Sequence, residues 1–255
     1  MPTTLLPHAG TTFMDDLREL KPGDRHYRAY VGLPTGYDHM GASQFRLLCT
    51  LGLREHHRLL DFGCGSLRAG RLFIAYLGPG RYHGIEPNRW LVEEGIRQQV
   101  GYDAVAIKQP RFDYNDQFRA DVFGGSFDYI LAQSVFSHTG LLLAQPGISA
   151  LSSVLSPDGL LLLTFKEGSR DTAEEGWVYP GCVKYRPETI AQLGRSAGLH
   201  SARLPWYHPS QVWYLMTRNE LRLPSPSMMD HLRGVVLFDA QFAPQGAAVS
   251  PPSGA

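Results

Sequence analysis

The chain's 255 residues carry 24 Lys and Arg against 24 Asp and Glu, so the net charge is zero, and 43% of them are hydrophobic. That length holds one sizeable α/β domain, and the charge balance supplies no global field to recruit nucleic acid or an anionic membrane. Three scattered cysteines, Cys49, Cys64 and Cys182, suggest neither a disulfide framework nor a zinc site and fit a reducing, cytoplasmic setting, and no apolar run reaches the roughly 18 residues that cross a bilayer.

Residues 1–40 read as an N-terminal arm, loosely attached over 1–25. Its start, Met1-Pro2-Thr3-Thr4-Leu5, lacks the charged and apolar regions of a signal peptide. A helix is expected over 41–53, with Phe45, Leu48, Cys49 and Leu51 as its apolar face. A strand over 58–62 runs into Gly63-Cys64-Gly65, and a helix over 68–76 stops at Gly78-Pro79-Gly80. A second strand, 81–85, is closed by Glu86-Pro87, because proline cannot continue a ladder. Asn88 is placed to cap a helix running to 99. A weaker strand ends at Phe112-Asp113, and a fourth covers 127–132. The stretch 139–155 reads as helical but interrupted at Pro146-Gly147, and Ser156-Pro157-Asp158-Gly159 as a turn. A continuous apolar strand follows over 160–165, of the kind covered on both faces in parallel sheets. A helix over 187–198 has proline in its first turn and glycine at its end. Strands 201–204 and 211–216 lie close enough to form an antiparallel hairpin. The domain is thus placed at 41–218. A tail over 219–255 carries an apolar patch at 235–238 and a Pro/Gly/Ala/Ser-rich, disordered end from 245.

Alternating strands and helices predict an α/β fold: a doubly wound, mostly parallel sheet with helices on both faces and an antiparallel terminal hairpin. Ligands of such sheets bind beyond the carboxyl ends of the strands, where the strand order reverses. The places to look are 61–67, Glu86, Asp113, 133–139 and 165–167. A dinucleotide would want a small residue three positions after Gly65, where Arg68 stands, although Glu86 suits the ribose acid of that motif.

The motifs favour another cofactor. Leu60-Asp61-Phe62-Gly63-Cys64-Gly65-Ser66 resembles the first motif of class I (Rossmann-like) S-adenosylmethionine-dependent methyltransferases. Gly84-Ile85-Glu86-Pro87-Asn88 resembles the end of their second strand, and 127–138 their fourth strand and its loop. Leu155-Ser156-Pro157-Asp158-Gly159-Leu160 resembles the turn into their fifth strand. The resemblance spans about residues 40–217 and implies a seven-stranded sheet with S-adenosyl-L-methionine as cofactor. One departure is Leu67, which stands where the family has its third glycine and is expected to present a bulkier wall to the methionine end. By position the resemblance assigns the cofactor to Asp61, Gly63, Cys64, Gly65, Ser66, Glu86, Pro87, Asn88, Asp113, Gln133 and Ser134. Glu86 would take the ribose hydroxyls, Asp113 the adenine amino group, and Gln133 with Ser134 the methionine part. Trp90 is a candidate flank for the adenine. Tyr30, Tyr37 or Gln44, from the aromatic and glycine-rich segment before the fold, is expected to close the pocket.

Methyl transfer from a sulfonium is an in-line displacement, so the protein chiefly aligns donor and acceptor and excludes water. A base is needed where the acceptor starts protonated. His138, after the fourth strand, is the candidate catalytic residue, since imidazole titrates near neutrality. His208 is a second. Trp177 and Tyr179, on the loop after the fifth strand with Lys184 and Tyr185, are candidates for cradling a flat or apolar acceptor, as is Tyr37. No Asn-Pro-Pro-Tyr-like tetrapeptide, basic stripe or metal-ligand spacing is present. The reading is therefore an O- or N-methyltransferase acting on a small molecule, with no nucleic acid, membrane or metal and with a homodimer allowed. The alternatives are a protein of this fold that binds cofactor without methyl transfer, or one that methylates a protein.

Overall fold

The protein is described by a computed structural model over residues 17–234. Its centre is the short strand β1 (Leu59–Phe62), whose four residues are all buried. Alternate side chains face opposite sides of a strand. Leu59 accordingly joins one core layer and Leu60 with Phe62 the other. β1 lies between β2 (Tyr82–Ile85) and β4 (Phe127–Ala132), parallel to both. With β3 (Arg111–Asp113), β5 (Leu155–Phe165), β6 (His200–Leu204) and β7 (Val212–Thr217) it forms a seven-stranded sheet in the order β3-β2-β1-β4-β5-β7-β6. β7 pairs antiparallel with both β5 and β6. The apolar run of β5 serves both layers, with Leu161, Leu163 and Phe165 on one face and Leu160 and Leu162 on the other. The α-helices with both ends among the described residues are α1 (Tyr37–Thr50), α2 (Gly70–Tyr76), α3 (Arg89–Gly95), α4 (Tyr102–Lys108), α5 (Leu141–Ser153), α6 (Pro187–Ser196) and α7 (Pro226–Gly234).

The differences from the sequence expectations have local causes. α5 runs unbroken through Pro146, because burying Ala144, Ile148 and Leu151 along one face outweighs the roughly 3 kcal/mol that an internal proline costs. The turn at 156–159 is an excursion within β5, not its beginning: Leu155 already pairs with Phe127, and pairing resumes at Leu160 with Tyr129. α4 was not expected because it buries none of its residues and so has no apolar periodicity. The helix after Asn88 stops at Gly95 and continues to Val100 as a π turn.

Within the arm, the described part is packed against the domain. Leu17 and Ala29 are buried, and Arg28 pairs with Asp38 at 3.0 Å. Arg71 reaches the same carboxylate at 2.6 Å, and both guanidinium groups lie over the Tyr37 ring. The start of the tail is also structured, with Leu232 of α7 fully buried in the core. The expectations for 1–16, for the patch at 235–238 and for the end from 245 lie outside the described residues.

His83 of β2 is 1% exposed, with its ring edge-on to Phe123 and Phe127. Burial, and then the Arg58 charge, pushes its pKa down to about 4 from 6.5. Between those values the unfolded chain binds the proton and the folded one does not, so stability rises with pH. His83→Phe keeps the packing and removes the titration. Urea unfolding at pH 7 and at pH 4.5 should show the wild type losing on the order of 2 kcal/mol more than the variant as the pH falls. Equal losses would mean that His83 is not held neutral.

Candidate active site

The chain bends sharply beyond β1, with Gly63 at φ +76° and Gly65 at φ +54°. The N–H groups of Gly63 and Cys64 both donate to the Ile85 carbonyl, at 2.8 and 3.0 Å, which pins the bend to β2. A Cβ on Gly63 would lie 2.6 Å from Val135 Cγ2, and one on Gly65 2.6 Å from Val31 Cγ1. The glycines are therefore required by the left-handed backbone and by packing from the chain itself. Leu67 adopts the same left-handed region at φ +59°, the conformation that suits glycine at this place in the family. Its side chain is fully buried within the core, against Gly70 and Gly95, so it fills the interior instead of walling a cleft. Cys64 points inward under Gly84, where burial pushes its thiol up, and Ser66 is fully buried. Tyr37 is fully buried too, and its hydroxyl donates to the Ser66 carbonyl at 2.9 Å. It holds the bend from beneath, away from any position that could cradle an acceptor.

Glu86 follows β2 directly and is 7% exposed. Its Oε2 accepts from the Gly65 N–H at 3.1 Å, and its Oε1 from the backbone N–H and side-chain amide of Asn88 at 2.9 and 2.8 Å. Burial pushes the Glu86 pKa up, and these three donors pull it partly back. Asn88 thus spends its side chain on Glu86 and does not cap α3. Pro87 is exposed. Asp113 ends β3 beside Ile85, and its Oδ1 accepts from the backbone and side chain of Asn115. Asp61, 5% exposed, accepts from the Tyr82 hydroxyl at 2.8 Å, and burial pushes its pKa up to about 7.

On the other side of β1 a second polar group gathers at the end of β4. Gln133 Oε1 accepts from Arg68 Nη2 and from the Gln44 amide, the latter at 3.4 Å. The Gln133 amide nitrogen lies 2.6 Å from Ser134 Oγ and 3.0 Å from His208 Nε2. Gln211 also donates to Ser134, at 2.7 Å, while its own Oε1 is buried without a partner. Ser134 is at φ +59°, with its N–H held by Thr164 Oγ1. Burial and the Arg68 charge push the His208 pKa down to about 3, so that ring is neutral at physiological pH. Arg68 went unrecognised as a site residue in the sequence. The available signal was a lone charge between the glycine bend and the apolar face of α2.

His138 lies beyond β4, buried to 9% exposure. Its Nδ1 is 2.5 Å from the Gly181 carbonyl, which sets Nδ1 as the donor and leaves Nε2 as the basic nitrogen. Burial holds the pKa of His138 below 6.5. Its ring centroid is 5.0 Å from that of Tyr179 and 5.9 Å from that of Trp177. Trp177 is 54% exposed and stacks on Tyr179. Tyr179 donates to the Tyr30 carbonyl, and the Tyr30 ring meets both Tyr179 and Trp90 at 5.2 and 5.3 Å. The structure therefore brings His138, Trp177 and Tyr179 together in one wall, with His208 in the Gln133 group.

Residues 60–161 match the model of a methyltransferase domain family. No curated protein sequence matches the chain. Among solved structures, a magnesium protoporphyrin IX methyltransferase from Synechocystis, with SAH bound, is 15% identical with a TM-score of 0.56, over 84% of this chain and 90% of that one. An amino pentose methyltransferase from Micromonospora echinaspora, with SAM bound, is 17% identical with a TM-score of 0.53, over 72% and 92%. Residues 60–161 are thus similar to a methyltransferase domain, and the seven-stranded fold that frames them is the one these solved S-adenosylmethionine-dependent methyltransferases share.

Proposed function

We propose that the protein moves a methyl group from S-adenosylmethionine to an oxygen or nitrogen of a flat, largely apolar small molecule, with His138 as the base. The observation that carries this reading is the Glu86 carboxylate, buried at the end of β2 and bonded to the N–H of the glycine bend. An ionised carboxylate has about four lone-pair sites, and three donors fill part of them here. Glu86 thus retains about one acceptor site, enough for one hydroxyl of a ribose. The remaining polar groups support it as well: the Asp113 acceptor stands alongside Glu86 on the next strand, and the Gln133 group lies across β1. When bound, the cofactor supplies an activated methyl group together with its leaving group.

The chain's residues do the rest. Glu86, Asn88 and Asp113 hold the nucleoside end, and Gln133 with Ser134 the amino-acid end. His138 Nε2 accepts a proton from the acceptor atom, the Nδ1 bond to Gly181 fixing the ring. Trp177 and Tyr179 offer stacked faces to a planar acceptor. Leu141 and Leu142, 42% and 64% exposed, follow Gly140, whose N–H donates to the carbonyl of Gly176, the residue before Trp177. They extend the apolar surface on which such an acceptor would rest. Among the described residues no helix is long and apolar enough to cross a membrane.

Tritiated-methyl transfer into small-molecule and protein fractions of a cell extract tests the activity. Label appearing only in protein, or cofactor binding without transfer to any fraction, would defeat this reading. Glu86→Ala should weaken S-adenosylhomocysteine binding about 10- to 100-fold by calorimetry, the usual loss for hydrogen bonds to a charged group. Undiminished affinity would remove the nucleoside from this place. His138→Gln should cut kcat about 100-fold or more while leaving cofactor affinity alone. Because its pKa is held low, the wild-type kcat/KM should fall on an acid limb below pH 6.5. The variant should lack that limb, and retention of it would clear His138 of the role.

A further inference from the structure

Arg68 is 9% exposed. Its Nη1 donates to the Val31 carbonyl at 2.8 Å and its Nη2 to the Gln133 side-chain oxygen. Both acceptors are neutral. Arg28, equally buried, has the Asp38 carboxylate at 3.0 Å, but among the described residues no carboxylate reaches Arg68 within ion-pair distance. Asp61, the acid that Arg68 senses, has its Oδ2 engaged by Tyr82. A guanidinium carries five N–H donors, and a buried charge without a counter-charge is costly. The side chains around it, Gln44, Gln133, Ser134 and His208, are all uncharged at neutral pH.

Position adds to this. β1 and β4 are neighbours, and the chain order of the sheet reverses between them. Arg68 follows the bend after β1 and reaches the residue that follows β4. Glu86 lies at the end of β2, on the opposite side of β1. The two groups therefore reach opposite sides of the carboxyl end of β1. An elongated ligand crossing that end would offer a diol to the acid and an anion to the guanidinium. We propose that Arg68 is a specificity-determining residue that pairs with the α-carboxylate of the cofactor's amino-acid end. This rests on the reading of the carboxyl end of β1 as a cofactor site.

Calorimetry with two adenosyl ligands separates the pairing from a scaffold role. S-adenosylhomocysteine has the carboxylate, and 5′-methylthioadenosine lacks the whole amino-acid part. Arg68→Gln should weaken the first about 10- to 100-fold and the second less than about twofold, with Arg68→Lys intermediate on the first ligand only. Undiminished binding of S-adenosylhomocysteine, or equal loss of both ligands, would overturn the assignment, the latter by making Arg68 a tie for Val31. Should neither variant fold, the wild type decides. The carboxamide of S-adenosylhomocysteine should bind about tenfold more weakly than the parent, and equal affinity would overturn the pairing. Wild-type protein that binds none of these ligands would overturn the cofactor reading itself.

Discussion

The glycine bend at the carboxyl end of the sheet depends on one buried carboxylate. Glu86 is removed from water immediately after β2, a placement tolerable only because three N–H groups satisfy it. One of those donors belongs to Gly65, so the acid on one strand defines the conformation of the loop after another. The bonds from Gly63 and Cys64 to Ile85 repeat the tie through the backbone. The bend is thus built from β2 as much as from β1. The left-handed run Gly63, Gly65, Leu67 persists because the surrounding structure over-determines it.

Charge is distributed unequally across this end. On the β2 and β3 side stand acids, Glu86 and Asp113. On the β4 side stand amides, a hydroxyl, a neutral imidazole and one guanidinium. The low pKa of His208 follows from the arrangement, since burial and the adjacent Arg68 both oppose a second positive charge. A ligand with a polar, uncharged diol at one end and an anion at the other suits this polarity better than its reverse.

The frame was legible because sheet strands buried on both faces leave continuous apolar runs, as at β5, and because proline and glycine punctuate them. Gly78-Pro79-Gly80, Glu86-Pro87 and the bend at Gly63 lie where the sequence places them. Less legible were features set by tertiary contacts. Pro146 reads as a break, yet the buried face of α5 carries the helix through it. The Ser156–Gly159 stretch reads as a turn between elements, yet β5 begins before it. Candidate site residues divide the same way. Strand ends located Glu86, Asp113 and Gln133, because topology alone puts them at the carboxyl edge of the sheet. Tyr37, Cys64 and Leu67 sit in the right segments but turn their side chains inward, and sequence position carries no information on that rotation. Arg68 was hidden because an arginine between a loop and a helix is ordinarily solvated.

The Tyr30 ring touches Trp90 on α3 and Tyr179 on the loop after β5, and its carbonyl is held by the Tyr179 hydroxyl. One residue of the arm therefore joins α3 to the loop after β5. Neighbouring Val31 rests on Gly65 and is tied to Arg68, so two adjacent residues ahead of the first strand hold the glycine bend, α3 and the loop after β5 as one mechanically coupled unit.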